Sequence, residues 1–211
     1  MFSRRYDHKG FSGSSQNHRR EQAIATILSS TSKATLPKAV RMLADGGVLV
    51  VPTDTVYGLV ARLDRPQAVD RIFKIKQRPR SKPLPILVGD IKTARTFADF
   101  STYALETAVS RWPGAVTLVL EVLHDLPDVG GDGTTVGLRI PDHPFALELL
   151  RQTGPLAGTS ANPAGKATGH TLAEVLAELG NGPDLYVDGG TLESEPSEVI
   201  SLIGEARTLR P

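Results

Sequence analysis

At 211 residues the chain has room for one domain with a sizeable core, and its composition, 40% hydrophobic and 22% charged, is that of an ordinary globular protein. A net charge of +1 argues against a polycation that coats nucleic acid, and the absence of cysteine excludes a disulfide, a thiol nucleophile and a zinc–thiolate site. The charge is unevenly spread: residues 1–20 hold five basic side chains against Asp7 alone, while the other 191 residues hold 19 basic and 22 acidic ones. A slightly acidic body with local basic runs suggests a focused anion site, and a cysteine-free chain suits a reducing cytoplasm.

In chain order, residues 1–32 read as a basic, partly disordered tail. "MFSRRYDHKGFSGSSQNHRR" has no apolar stretch of a secretory signal or membrane span, and Phe2, Tyr6 and Phe11 show no helical period. A weak RNA- or partner-binding arm is its functional alternative. Residues 33–211 read as one folded domain. "LPKAVRMLADGG" has helical periodicity and a Gly46–Gly47 stop; "VLVVP" is a buried strand; "RPQAVDRIFKIKQR" is a helix closed by Pro79. "LPILV" reads as a strand, followed by helices near 90–98 and 101–111. "AVTLVLEVL" and "TVGLRI" are strands, "HPFALELLRQ" a helix, "PLAGTS" a strand and "TLAEVLAELG" a helix, before three short strands, "DLYVD", "EVISLI" and "ARTLR". This is an α/β pattern, and the late strands without helices between them predict a mixed sheet.

Four stretches carry chemistry. "KIKQRPRSK" sets Lys74, Lys76, Arg78, Arg80 and Lys82 at alternate positions with no acid among them, either a solvated run or a cradle for a polyanion. "LAGTSANPAGKATG" is a glycine-rich polar turn that can offer N–H groups and hydroxyls to phosphate. It is not a P-loop, since six residues separate Gly158 and Gly165 and Ala167 follows Lys166; nor is it a nucleophile elbow, since Asn162 stands where a glycine is required. "VPTDTVYGL" puts hydroxyls and Asp54 at the end of a core strand, suited to a small polar ligand or to an ordinary turn. "VGLRIPDHP" places Arg139 in an apolar strand, where it faces solvent or needs a carboxylate partner from protein or ligand.

In order, "VPTDTVYGL", "KIKQRP…KPL", "RWPGAVTLVL", "TVGLRIPDHP", "PLAGTSAN" and the closing "LRP" resemble the YrdC-type L-threonylcarbamoyladenylate synthases over roughly residues 33–211. The resemblance implies a YrdC-like catalytic domain: a twisted, open, mixed α/β sheet with flanking helices around a positively lined concave cavity. It implies a nucleotidyltransferase that joins L-threonine, bicarbonate and ATP into threonylcarbamoyl-AMP, releasing pyrophosphate. A separate transferase complex would then modify the adenosine beside the tRNA anticodon. The Lys-x-Arg and Ser-x-Asn signature falls on Lys76, Arg78, Ser160 and Asn162 as the catalytic set. ATP contacts fall on Arg78, Lys82, Thr135, Ser160, Asn162, Thr168 and Arg210, and threonine contacts on Thr53, Arg139 and Ser197. Leu87 occupies a place where some relatives put a polar threonine contact. No carboxylate cluster has metal spacing, so Mg2+ is expected to arrive on the triphosphate. Within the basic run, Lys74 and Arg80 read as solvated charges. The alternative from another class is an RNA-binding module of the same fold, holding tRNA or rRNA without nucleotide turnover; the acidic body argues against it.

Overall fold

The computed structural model describes residues 26–210. Residues 1–25 of the expected tail, and Pro211, lie outside the described residues. The boundary expected at residue 33 falls inside the fold, because Thr26–Ser29 form a strand, β1, that pairs in parallel with a late strand, β8 (Leu185–Asp188). Its four residues are short and polar-flanked, and what holds them is a partner about 160 positions away, which no local pattern reveals.

The helices follow the sequence pattern. α1 (Thr35–Ala44) buries Thr35, Ala39 and Leu43 on one side. α2 (Pro66–Lys76) starts on proline and ends when Gln77 takes a left-handed conformation, φ 52°, two residues ahead of Pro79. α4 (Thr102–Arg111), α5 (Pro144–Thr153) and α6 (Leu172–Leu179) lie where periodicity predicts them, and a reciprocal Thr171–Glu174 capping box starts α6. The stretch near 90–98 shortens to one turn, α3 (Ile91–Ala94), because residues 97–99 leave the helix to bond Glu121 and Leu123 at the edge of a strand.

The other strands are β2 (Leu49–Val51), β3 (Gly58–Arg62), β4 (Ile86–Leu87), β5 (Val116–Glu121), β6 (Thr135–Arg139), β7 (Leu156–Ser160), β9 (Glu198–Ser201) and β10 (Arg207–Arg210). β4 is shorter than "LPILV" suggests, since Pro83 and Pro85 cannot donate to a ladder. β3 pairs with both β2 and β7. All ten strands make one sheet, in the order β1-β8-β2-β3-β7-β4-β6-β5-β9-β10, with four parallel and five antiparallel pairings. The mixed sheet expected from the late strands is therefore observed.

Two cores divide along the sheet's faces. α2, α4 and α6 pack on the face carrying Val50, Leu59, Ala61, Leu118, Leu120, Val136 and Leu138. α1 and α5 pack on the other face, against Leu49, Val51, Val60, Leu156, Leu185 and Val187. Along β6 the alternation sends Val136 and Leu138 into the first core and leaves Thr135, Gly137 and Arg139 on the second face, beyond the reach of α1 and α5. The bare part of that face becomes a cavity. Removing the side chain of Leu118, fully buried in mid-strand, is expected to cost about 2–5 kcal/mol. Val109→Ser on the exposed side of α4 should change stability by less than about 0.5 kcal/mol. Urea denaturation of the two variants checks the pair.

Candidate active site

The cavity has a volume of about 370 Å3 and is walled by one face of β5, β6 and β9, the ends of β3 and β7, the β2–β3 turn and the tip of β10. Period-two alternation selects its lining: Thr117 and Val119 from β5, Thr135, Gly137 and Arg139 from β6, Ser197 and Val199 on β9 and its approach. Antiparallel pairing of Gly58 with Ser160 brings the β2–β3 turn beside the loop after β7. Gly158 is required in that wall, as a Cβ there would come within 2.8 Å of the Leu87 side chain.

Seven of the eleven residues expected at the site line this cavity: Thr53, Arg78, Thr135, Arg139, Ser160, Ser197 and Arg210. Four do not. Lys76 is buried behind the wall at 2% exposure. Its Nζ donates to Ser160 O at 2.5 Å, Asn162 O at 2.6 Å and Asn162 Oδ1 at 3.0 Å, so all three ammonium protons have acceptors. Burial and then the neighbouring Arg78 charge push its pKa down to about 7. The backbone joins the same tie, with Ala164 N–H donating to Lys76 O at 2.8 Å. Asn162 is buried in this knot; its Oδ1 also accepts from Ser160 Oγ at 2.6 Å, and its Nδ2 donates to Lys166 O. Lys82 is exposed and lends its backbone carbonyl to Arg78, and Thr168 is half-buried in the loop beyond Lys166.

Arg139 is the most buried guanidinium of the site. Its Nη2 donates to Asp54 Oδ1 at 2.7 Å, its Nη1 to Thr55 Oγ1 at 3.1 Å and its Nε to Gly114 O at 3.1 Å. Burial lowers its pKa and the Asp54 charge opposes that. The carboxylate partner anticipated for this strand arginine is thus Asp54. Asp54 and Thr55 belong to the site; the sequence marks both as polar residues at the end of a core strand, but not as partners of Arg139. Thr53 is spent locally: its Oγ1 donates to Val56 O at 2.6 Å and accepts from Thr55 N–H.

Arg210 from β10 closes the opposite wall, donating to Ser197 O at 3.0 and 2.7 Å and to Ser197 Oγ at 3.2 Å. Ser197 Oγ lies 3.1 Å from Thr117 Oγ1. Arg78 donates from Nε to Lys82 O at 2.8 Å and from Nη2 to Pro83 O at 2.9 Å. Burial lowers the pKa of Arg78, and the Arg210 charge lowers it further; Arg210 acts on Arg139 in the same direction. Arg210 is therefore close enough to repel both Arg78 and Arg139, in a cavity whose lining, among the described residues, includes no carboxylate. Such an arrangement selects a polyanion. Among the described residues no three His, Cys, Asp or Glu side chains gather into a metal site, and no helix is long and apolar enough to cross a membrane.

The chain is similar to known proteins in both sequence and fold. The Sua5/YciO/YrdC family model, which carries the description "telomere recombination", matches residues 41–211. A putative threonylcarbamoyl-AMP synthase of Mycobacterium tuberculosis is 37% identical over 177 residues, 82% of this chain and 82% of that one. The threonylcarbamoyl-AMP synthase of Bacillus subtilis is 36% identical over 165 residues, 76% of this chain but 48% of the relative, so the chain spans about half of that longer protein. Among solved structures, P. abyssi Sua5 complexed with L-threonine superposes with a TM-score of 0.81 at 32% identity, covering 89% of this chain and 56% of that one. E. coli YciO superposes at 0.79 with 26% identity, covering 89% and 93%. By sequence and fold, the chain belongs to the Sua5/YciO/YrdC family.

Proposed function

We propose that the chain is a threonylcarbamoyl-AMP synthase, a nucleotidyltransferase that joins L-threonine, bicarbonate and ATP and releases pyrophosphate. The observation that carries this reading is the convergence of Arg78, Arg139, Arg210 and Ser160, from four separate motifs, on one concave cavity. Relatives of that name at 32–37% identity support it, as does the L-threonine complex of P. abyssi Sua5. Residues 26–210 carry the whole proposed site.

The arrangement divides the work. Arg139 holds the threonine carboxylate: three of its five N–H groups are used, which leaves one on each terminal nitrogen for a forked contact. Asp54 keeps that guanidinium fixed and charged. Ser197 and Thr117 offer hydroxyls on the same side, and Thr53 shapes the turn that presents Asp54 and Thr55. The threonine amine takes up carbon dioxide from bicarbonate to give a carbamate. A carbamate oxygen attacks the α-phosphorus of ATP, a P–O bond forms as the bond to the β-phosphate oxygen breaks, and pyrophosphate leaves. Negative charge grows on the phosphoryl oxygens and the leaving group, and fixed cations stabilise it. Arg78 and Arg210 supply that charge and Thr135 adds a hydroxyl from the wall, while Lys82 and Thr168, which lie outside the lining, reach the nucleotide only if their loops move. Ser160 now donates to Asn162 Oδ1; since Lys76 also holds that oxygen, Ser160 can swing to a phosphate without leaving Asn162 unpaired. Lys76 and Asn162 thus serve by holding the loop. With no carboxylate cluster among the described residues to bind it, Mg2+ arrives on the triphosphate. The product passes to a separate threonylcarbamoyl transferase complex in the cytoplasm, so pyrophosphate release needs no RNA.

Purified protein should release pyrophosphate only when ATP, L-threonine and bicarbonate are all present, and Arg78→Ala should lower kcat/KM by about 10²–10³-fold with little change in melting temperature. Unchanged turnover in that variant would overturn the role given to Arg78. Arg139→Lys keeps the charge but loses the fork, and should raise KM for threonine about tenfold while leaving KM for ATP nearly constant. Lys76→Met removes three hydrogen bonds and strands the Asn162 carbonyl, and urea denaturation should show a loss of about 2–4 kcal/mol, unlike Arg78→Ala.

A further inference from the structure

Arg80, expected to be a solvated charge, is 43% exposed at its side chain and also makes contacts to α2 and to a neighbouring loop. Its guanidinium bonds Asp70 of α2, lies 3.4 Å from Asp128 and stacks 4.3 Å from the centre of the Phe73 ring. Its backbone carbonyl accepts from Gly131 N–H at 2.7 Å, and four residues later Leu84 N–H donates to Val129 O at 2.8 Å. Asp128 completes the ring by accepting from Gly130 N–H at 2.9 Å. The backbones touch so closely that a Cβ on Gly130 would lie 2.6 Å from Arg80 O and 2.9 Å from Phe73 Cζ. Two loops, 77–85 and 128–134, are therefore clasped to each other and to the last turns of α2.

Both loops lead into the cavity. The Arg78 guanidinium is oriented by the carbonyls of Lys82 and Pro83, inside the same turn that Arg80 anchors. The second loop runs directly into Thr135. A shift of the turn therefore rotates Arg78 away from whatever it binds. Exposed ion pairs contribute little to stability one by one, but a displacement of roughly 1 Å in a positioning element can cost about 10²-fold in rate. We propose that Arg80 is a positioning residue of the nucleotide pocket, acting by clasping the Arg78 loop to α2 and to the loop before Thr135. The inference rests on the synthase reading above, and it separates the triphosphate side of the cavity, which the clasp supports, from the Arg139 side, which it does not touch.

The test is steady-state pyrophosphate release by the full chain, varying ATP and threonine separately, for Arg80→Ala, Arg80→Lys, Gly130→Ala and the Arg80→Ala/Gly130→Ala double variant. Arg80→Ala should raise KM for ATP about five- to tenfold and leave KM for threonine within about twofold. Its melting temperature should fall by no more than about 4 °C. Arg80→Lys should recover part of the loss, Gly130→Ala should reproduce it from the other loop, and the double variant should be no worse than the stronger single one. An unchanged KM for ATP in Arg80→Ala, or an equal rise for both substrates, would overturn the clasp. Wild-type protein that releases no pyrophosphate would instead defeat the synthase reading. Calorimetric titration with ATP alone then decides the clasp, upheld if Arg80→Ala binds about fivefold more weakly and overturned if it binds equally or if wild type does not bind.

Discussion

Among the described residues, six helices do not cover both faces of this ten-stranded sheet, and the part of one face they leave bare sets everything else. α2, α4 and α6 seal one side, while α1 and α5 seal only the β8-β2-β3-β7 half of the other. Over β6, β5 and β9 no helix of the described residues waits to bury that second face, so it is not wholly apolar: Val119 and Val199 stand among polar groups. The strands meet the demand with Thr117, Thr135, Gly137, Arg139 and Ser197 at the positions where a two-sided core strand would carry Val or Leu. The same alternation that builds the first core thus builds the polar wall of the cavity.

A concave wall brings its charges out of water, and the consequence is visible in each arginine. Arg139 is tolerable in its strand because Asp54, Thr55 and the Gly114 carbonyl occupy three of its N–H groups. Arg78 and Arg210 have only carbonyl and hydroxyl partners, and burial together with mutual repulsion weakens the hold of Arg78 on its proton. A site left in that condition gains most from a ligand that brings several negative charges. Donors fixed before the ligand arrives need no reorganisation when charge moves from the α-phosphoryl group to the leaving pyrophosphate.

Much of this was legible in the sequence. The long helices, the core strands and the mixed sheet lie where the pattern puts them, and seven of the eleven residues expected at the site line one cavity. The misses share one cause: they are fixed by partners distant in sequence. β1 exists because β8 does, and β3 because β2 and β7 flank it. Asp54 was one of several polar residues in a turn until the fold set Arg139 opposite it, 85 positions on. Lys76 carried the charge expected of a phosphate ligand, but its burial depends on the β7 loop folding over the end of α2. A signature states which residues a site needs, and only the packing tells which of them touch the ligand.

The run Lys74–Lys82 shows how far charge alone can mislead. Its even spacing suggests one face, yet the left-handed turn at Gln77 ends the helix within it and sends the five side chains to different environments. Lys74 stays on the exposed side of α2; Lys76 turns inward to the β7 loop; Arg78 faces the cavity; Arg80 clasps the neighbouring loop; Lys82 stands exposed just beyond the turn. The choice between lysine and arginine follows from each environment. Three acceptors converging on one buried point suit the three N–H groups of an ammonium and would leave a planar guanidinium with unpaired donors. At Arg80 the reverse holds: two carboxylates lie at its edge and a ring against its face, which a flat, forked cation satisfies and an ammonium cannot. The sequence therefore uses two kinds of cation because the chain passes, within nine residues, from a helix into a buried knot, a ligand wall and a loop clasp.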